Sequence, residues 1–330
     1  MRLDIDGRNC ELESGRSILD AVKKEGLDSI MLSDRPLAAQ IGGEVFNLRF
    51  TPKKDTQIHL LRYGEDMGRR VYERTLQFLF ILAMRKEFPR ARVCVRYSLG
   101  PGLFITVDGM EEPFNEEAAL KVETEMRRLV RLKLPLERRR ISIKEALSFY
   151  EQDGQADKAK LLKWRRFSYF DVYQIDGYMD YFYGEMAPDT SYADVFRVKY
   201  VHDGAVVLLM PRNDAPDVPS DYVDLPKLHA VFHQSDEWGK LMECATVNDL
   251  NTHIQNGTIR ELVRINEALH DRGYADIADK IVQKGAKAVL VALPPQERLP
   301  LPIGYPRNCV CRAVIRSCCR WTITTSTGIR

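Results

Sequence analysis

Two histidines four residues apart, His229 and His233 in "HAVFH" with Glu237 following, are the spacing with which a helix can offer two imidazoles to a zinc ion. No HExxH accompanies them and no third ligand is evident, so they read as two partly buried structural histidines. The seven cysteines are uneven. Cys10, Cys94 and Cys244 stand alone, while Cys309, Cys311, Cys318 and Cys319 crowd the end of the chain. A CxC and a CC pair could hold metal, but no histidine follows at ligand spacing. Arg127, Arg128, Arg131, Lys133, Arg138, Arg139 and Arg140 form a basic run that could meet phosphates. Glu123, Glu125 and Glu137 are interleaved with it, as on a solvated face. Tyr169, Tyr173, Tyr178, Tyr181, Tyr183 and Tyr192 cluster with Phe170 and Phe182. Aromatics of this density can stack a base, although alternation along strands assigns most of them to core or sheet surface. No GxxxxGK[ST] phosphate loop occurs anywhere.

The elements that must position these residues are legible in part. "RLDIDGRNCEL" reads as two strands around an Asp-Gly turn, "SGRSILDAVKKEG" as a short helix capped by Ser17, and "LAAQIGGEVFNL" and "TQIHLLR" as three more strands. That order is a β-grasp. Residues 67–87 read as a long helix, apolar over most of its surface and therefore buried between elements. A hairpin around "LGPG", a helix capped by Asn115 and two short helices around Gly154 follow. "FDVYQIDGYMDYFYGEM" and "FRVKYVHDGAVVLLMPR" are strand-rich, "NDAPDVPSDYVDLP" reads as a linker, and residues 235–284 are mostly helical.

A chain of 330 residues has room for two or three domains. No run of eighteen apolar residues is present, and Asp4 and Asp6 break any leader-like apolar stretch, so a cytoplasmic protein without membrane contact is expected. From Pro294 onward the charged residues are six Arg and one Glu, so the slight basicity of the chain resides in that tail. It is no argument for nucleic-acid binding by the folded part.

Residues 1–62 resemble a TGS domain, the β-grasp module of threonyl-tRNA synthetases. Residues 64–224 resemble the second additional (editing) domain of threonyl- and alanyl-tRNA synthetases, most specifically through "LVRLKLPLERRRISIKEALSFYEQDGQADKAKLL" and "DYFYGEMAPDT". Residues 225–285 are similar to the connector of bacterial nucleoside kinases of the uridine kinase/phosphoribulokinase type. The resemblance implies an α+β fold: a β-grasp, an editing-domain-like α+β domain and a helical connector. It also implies that residues 286–330 begin as the first kinase strand, 288–292, and should run into a Walker A loop binding ATP and Mg²⁺. After Ala292 the sequence instead reads "LPPQERLPL". Reading the codons one base out of register, with synonymous codons free, permits a string that contains such a loop. Residues 293–330 are therefore expected to be an out-of-frame, disordered tail. On this resemblance the chain is a truncated uridine-type kinase, inactive as written and holding no cofactor. The alternative is a stand-alone nucleotide- or RNA-binding regulatory module. Oligomeric state is left open.

Synthetase editing sites hold a zinc-type donor set, two His spaced HxxxH and a later Cys and His spaced CxxxH. Alignment on "EFP" puts Arg74 and Phe78 at the first two positions, and alignment on "APDT" puts Phe182 and Met186 at the others. All four donors are replaced, so neither metal nor metal-dependent deacylation is expected. A residual ligand pocket is expected around Arg74, Asp180, Tyr183 and Asp189.

Overall fold

A computed structural model of the chain describes residues 1–201 and 204–286. β1 (Arg2–Ile5) and β2 (Arg8–Glu11) form a hairpin whose turn, Asp6–Gly7, takes positive φ at both residues. α1 (Ile18–Lys24) starts at a capping box in which Ser17 and Asp20 satisfy each other's backbone amides. β3 (Ala38–Ile41), β4 (Glu44–Phe46) and β5 (Thr56–Leu61) complete a sheet of order β2-β1-β5-β3-β4, with β1 parallel to β5. Leu3, Ile5, Ile18, Val22, Leu48, Ile58 and Leu60 are buried between helix and sheet. This is the β-grasp.

α2 (Asp66–Glu87) follows at once. Val71, Tyr72, Leu76, Phe78, Leu79, Phe80, Ala83 and Met84 are each sealed from water, so the helix is covered on nearly every side. β6 (Arg92–Leu99) and β7 (Gly102–Asp108) form a hairpin. α3 (Glu116–Leu132) is capped by Asn115 and ends at Lys133, which adopts the left-handed conformation. Then come β8 (Glu137–Ser142), α4 (Ile143–Gln152), α5 (Ala156–Leu162), β9 (Tyr169–Ile175), β10 (Tyr178–Asp180) and a short 3₁₀ turn at Thr190–Tyr192. β11 (Arg197–Tyr200) and β12 (Ala205–Leu209) join the earlier hairpin as an antiparallel sheet, β11-β12-β7-β6. Leu76, Phe80, Ile105, Val122, Met126, Val206 and Leu208 share one core between α2, α3 and this sheet. A second, three-stranded sheet, β10-β9-β8, carries α4 and α5 over Ile141, Tyr150, Leu162, Phe170 and Val172.

The stretch expected to be a linker is partly folded. Within it β14 (Ala215–Pro219) pairs with β13 (Pro211–Arg212). A two-stranded ribbon asks few residues for an N–H, so it accepts the prolines that argued against a strand.

α6 (Pro226–Leu241), α7 (Val247–Gln255) and α8 (Ile259–Gln283) are helical as expected. The chain divides into two compact units, residues 1–233 and the part from Gln234 onward. Among the described residues of the second unit only Ala278 is fully buried. His229 is half-buried and shares a hydrogen bond with the Tyr97 hydroxyl at 2.8 Å, whereas His233 is exposed. The expectation of two partly buried histidines therefore fails for His233. No helix among the described residues is long and apolar enough to cross a membrane. The strand expected at 288–292, the tail after Ala292 and its four cysteines lie outside the described residues.

Inside the first unit the β-grasp grips the segment that follows β10. Asn47 Nδ2 donates to Met186 O at 2.8 Å, and Arg49 Nε donates to Pro188 O at 2.9 Å. Arg35 is buried and its guanidinium pairs with both Asp194 carboxylate oxygens, at 2.9 and 3.0 Å. The Tyr63 hydroxyl donates to Pro211 O at 2.7 Å.

An ionic clasp marks the passage from β5 into α2. His59 Nδ1 lies 2.7 Å from Asp6 Oδ1, and its Nε2 lies 2.7 Å from Glu65 Oε2. Arg62 adds a contact to Asp6 at 3.3 Å. The bonds to Glu65 and then Asp6 raise the His59 pKa above its ordinary 6.5. Partial burial pushes Asp6 up, but the bonds from His59, the Leu60 amide and Arg62 outweigh it and hold the carboxyl below 3.8. The His59 contribution is thus complete below pH 6.5 and lost as pH rises through the raised value; the Asp6 contribution is present above 3.8 and lost as pH falls through the lowered one. Both act together between about pH 4 and 6.5. The imidazole is half exposed, so the clasp contributes only about 0.5–1 kcal/mol. His59→Gln is expected to lower Tm by about 1–3 °C at pH 5.5 and by less than about 1 °C at pH 9. Thermal scans at the two values check this; an equal loss at both would refute it.

Candidate functional site

α2 presents Arg70, Glu73, Arg74, Gln77 and Ile81 on one side, positions i, i+3, i+4, i+7 and i+11 of the same helix. Opposite them stand Val93, Cys94 and Val95 of β6, the edge strand of its sheet, and Asp180 to Tyr183 at and beyond the end of β10. Lys158 of α5 closes one end. The cleft so formed has a volume of about 660 Å³, within the size range of small-molecule and nucleotide sites.

Its back is apolar. Phe78 is fully buried, with its ring centroid 5.3 Å from that of Phe182 and 5.9 Å from that of Tyr178. Met186 is also fully buried, and the next residue, Ala187, donates its amide to the Thr75 hydroxyl at 3.0 Å. Arg74 Nε donates to Glu185 O at 2.9 Å. The guanidinium then lies over Gly184, where an added Cβ would sit 3.0 Å from Arg74 Cζ. With φ at +107°, position 184 favours glycine for its backbone as well as for that contact. The four residues at the expected donor positions thus lie close together: the middle of α2 faces the 182–186 segment, and the contacts there are aromatic packing and a guanidinium–carbonyl bond. Arginine and phenylalanine offer no metal donor, and the Met186 thioether is sealed from the cleft. These residues do not fit a zinc-type ion. Among the described residues no group of three or more His, Cys, Asp or Glu side chains is placed to hold a metal ion.

The rim is polar and aromatic. The Lys158 ammonium donates to both oxygens of the buried Asp180, at 2.6 and 2.7 Å, and Asp180 also accepts from the Tyr181 amide at 2.8 Å. Burial pushes the Glu73 carboxyl up, and Arg74, Arg69 and Arg70 pull it only partly back. Burial likewise pushes the Tyr181 hydroxyl up, so it stays a neutral donor at neutral pH. Tyr183 is 76 % exposed, its ring edge-on to Tyr181 with centroids 5.7 Å apart. Arg70 is exposed and has no ion-pair partner among the described residues.

Of the expected pocket residues, Arg74, Asp180 and Tyr183 line the cleft. Asp189 does not. It caps the 3₁₀ turn, accepting from the Ser191 amide at 3.0 Å, and faces Arg49 of the β-grasp at 3.6 Å. The chain turns away at Glu185–Pro188 and carries Asp189 to the other side of the segment. Sequence reading missed Arg70, Lys158 and the β6 residues. Arg70 was findable, one turn before Arg74 on a helix already assigned; Lys158 and β6 carry no local signal. The basic run turns out to be largely engaged. Arg127 donates to Asp194 O and Phe196 O, Arg128 pairs with Glu125, and Arg138 and Arg140 pair with Asp171.

A second cavity, about 530 Å³, lies between the start of α2 and the β13–β14 ribbon. Two of its arginines are engaged: Arg69 donates to Asn213 Oδ1 at 2.7 Å and Arg212 pairs with Asp214 at 2.7 Å.

No family model matches the chain. Curated proteins do match in part. The chain is 25 % identical over 194 residues to a threonine–tRNA ligase of Clostridium kluyveri, covering 58 % of this chain and 30 % of that protein. It is 27 % identical over 175 residues to that of Carboxydothermus hydrogenoformans, covering 51 % of this chain and 26 % of the ligase. For Acetivibrio thermocellus the identity is 28 % over 160 residues, covering 48 % and 24 %. The expectation of a truncated nucleoside kinase is overturned by these matches, which are to ligases of tRNA and not to kinases. With its mixed α+β architecture, the chain is similar to part of threonine–tRNA ligase and spans less than a third of the length of the curated relatives it matches.

Proposed function

We propose that this chain is an RNA-binding module that holds the end of an RNA strand in the α2–β6–β10 cleft without hydrolysing it. The observation that carries the reading is the cleft itself. A site of nucleotide size in a fold like that of tRNA ligases is rimmed by Arg70, Arg74, Tyr181 and Tyr183, and the zinc-type donor positions are filled by Arg74, Phe78, Phe182 and Met186. Each part has a physical task. Tyr183, exposed on the rim, offers a ring face on which a terminal base stacks. Arg70 supplies an uncommitted charge for a phosphate, and the Arg74 fork, fixed at one edge by Glu185 O, offers its remaining N–H groups. The Phe78–Phe182 pair keeps the floor dry. Asp180 is held by Lys158 and the Tyr181 amide, so it serves to orient the rim. No metal or other cofactor is needed for these tasks.

The test is fluorescence anisotropy with a 5′-labelled hairpin RNA carrying a short single-stranded 3′ end, against the same hairpin cut blunt. The tailed RNA is expected to bind at least tenfold tighter. Arg70→Ala and Tyr183→Ala are each expected to weaken it by about 5- to 30-fold, the loss of one charged contact or one stacked base. Equal binding of tailed and blunt RNA would sink the reading. So would turnover of a 3′-aminoacylated RNA above the rate in buffer, or about one zinc per chain by elemental analysis of the intact protein.

A further inference from the structure

Between α5 and β9 the chain reads "KWRRF", residues 163–167. The only acidic residue from 154 to 170 is Asp157, against Lys158, Lys160, Lys163, Arg165 and Arg166. Lys163, Arg166 and Phe167 are exposed, Phe167 at 61 %. Neither Lys163 nor Arg166 has an ion-pair partner among the described residues, unlike most of the basic run 127–140. Phe167 is a large apolar ring left in water directly after these cations, a combination that fold stability does not call for.

The turn is linked to the cleft by ring contacts that pass through the buried Phe170 and one guanidinium, that of Arg165. From the rim, Tyr183 contacts Tyr181 at 5.7 Å, and Tyr181 contacts Phe170 at 5.5 Å. The Arg165 guanidinium lies 4.8 Å from the Phe170 centroid and 5.9 Å from that of Phe167. Phe167 meets Tyr169 at 5.7 Å, and Arg140 covers Tyr169 at 4.0 Å. Arg165 is fixed in place by its bond to Tyr169 O at 3.1 Å.

We infer that the 163–167 turn is the track on which a single RNA strand lies as it leaves the cleft, with phosphates at Lys163 and Arg166 and a base stacked on Phe167. Exposed cations beside an exposed ring suit an unpaired strand, whose phosphates and base faces are both open; a duplex buries the base faces and cannot use the ring. This inference rests on the cleft reading above and extends it from one terminal nucleotide to several.

Anisotropy with two 5′-fluorescein RNAs separates the two claims: a dinucleotide, which fills the cleft only, and an unstructured octanucleotide, which also reaches the turn. The variant is Lys163→Ala/Arg166→Ala/Phe167→Ala, three exposed residues, with circular dichroism melting to show that the fold is intact. Parent protein is expected to bind both RNAs. The variant should keep its dinucleotide affinity within twofold, lose about 10- to 100-fold on the octanucleotide, and show a salt slope lower by about 1.4, two phosphate contacts at about 0.7 each. Unchanged octanucleotide binding in the variant, with Arg70→Ala still weakening both RNAs, overturns the track and leaves the cleft standing. An equal loss on both RNAs also overturns it, since the turn then acts through the cleft. Binding of neither RNA by the parent overturns both claims. Adsorption of the parent to phosphatidylserine vesicles that the variant lacks, with RNA binding unaltered, assigns the turn to a lipid surface and overturns it too.

Discussion

An Arg35→Ala protein is expected to melt about 10 °C below the parent, one of two stability losses that probe how the cleft is held. Arg35 sits between the β-grasp and the segment that ends the cleft wall, with a side chain only 9 % exposed. It donates to Ser29 O, Ile30 O, Ser191 O and Tyr192 O and clamps both oxygens of Asp194. Truncation leaves these acceptors facing an apolar hole and strands the Asp194 carboxylate. Removing one partner of a buried pair costs roughly 3–5 kcal/mol, and the one-third exposure of Asp194 argues for the lower end. At about 2–4 °C per kcal/mol for a unit of this size, that is about 10 °C. Arg35→Lys keeps the charge but cannot span carboxylate and carbonyls together, so it should recover less than half of the loss. A melting point within 2 °C of the parent for Arg35→Ala would show that the β-grasp is held by other contacts.

Phe78→Ala is expected to cost about 3–5 kcal/mol in a urea titration, because it removes a fully buried ring and leaves a cavity behind Phe182. Phe78→Leu, which keeps most of the volume, should cost less than about 1.5 kcal/mol. If the cleft floor is the Phe78–Phe182 pair, the alanine variant also weakens RNA-end binding at temperatures where it remains folded, and the leucine variant does not. A loss below about 1 kcal/mol for Phe78→Ala would mean that the ring is not part of the packed floor.

Local signals were enough for the scaffold. The Asp6–Gly7 and Gly42–Gly43 turns, the Ser17 cap and the strand alternation gave the β-grasp, and the apolar surface of α2 announced its burial. Asn115 and Gly154 marked the next helices correctly. β14 was missed because proline and aspartate density signals a loop, while a two-stranded ribbon makes few demands on its amides. The kinase expectation leaned on the connector and the tail, whereas the measurable similarity is to tRNA ligases.

The residue types at 74, 78, 182 and 186 exclude a zinc-type donor set by chemistry alone, and no arrangement in space can change that. What shares the cleft is another matter. Arg70, Val95, Lys158 and Tyr183 come from four separate stretches of chain, and only the packing of α2 against two sheets brings them to one opening. Asp189 stands three residues after Met186 in one motif, yet Asn47 and Arg49 of the β-grasp draw the intervening backbone away and leave it on the far side. Adjacency in sequence fixes distance only over a few residues of regular structure; past a turn, the hydrogen bonds that a distant element offers to the backbone decide where a side chain ends.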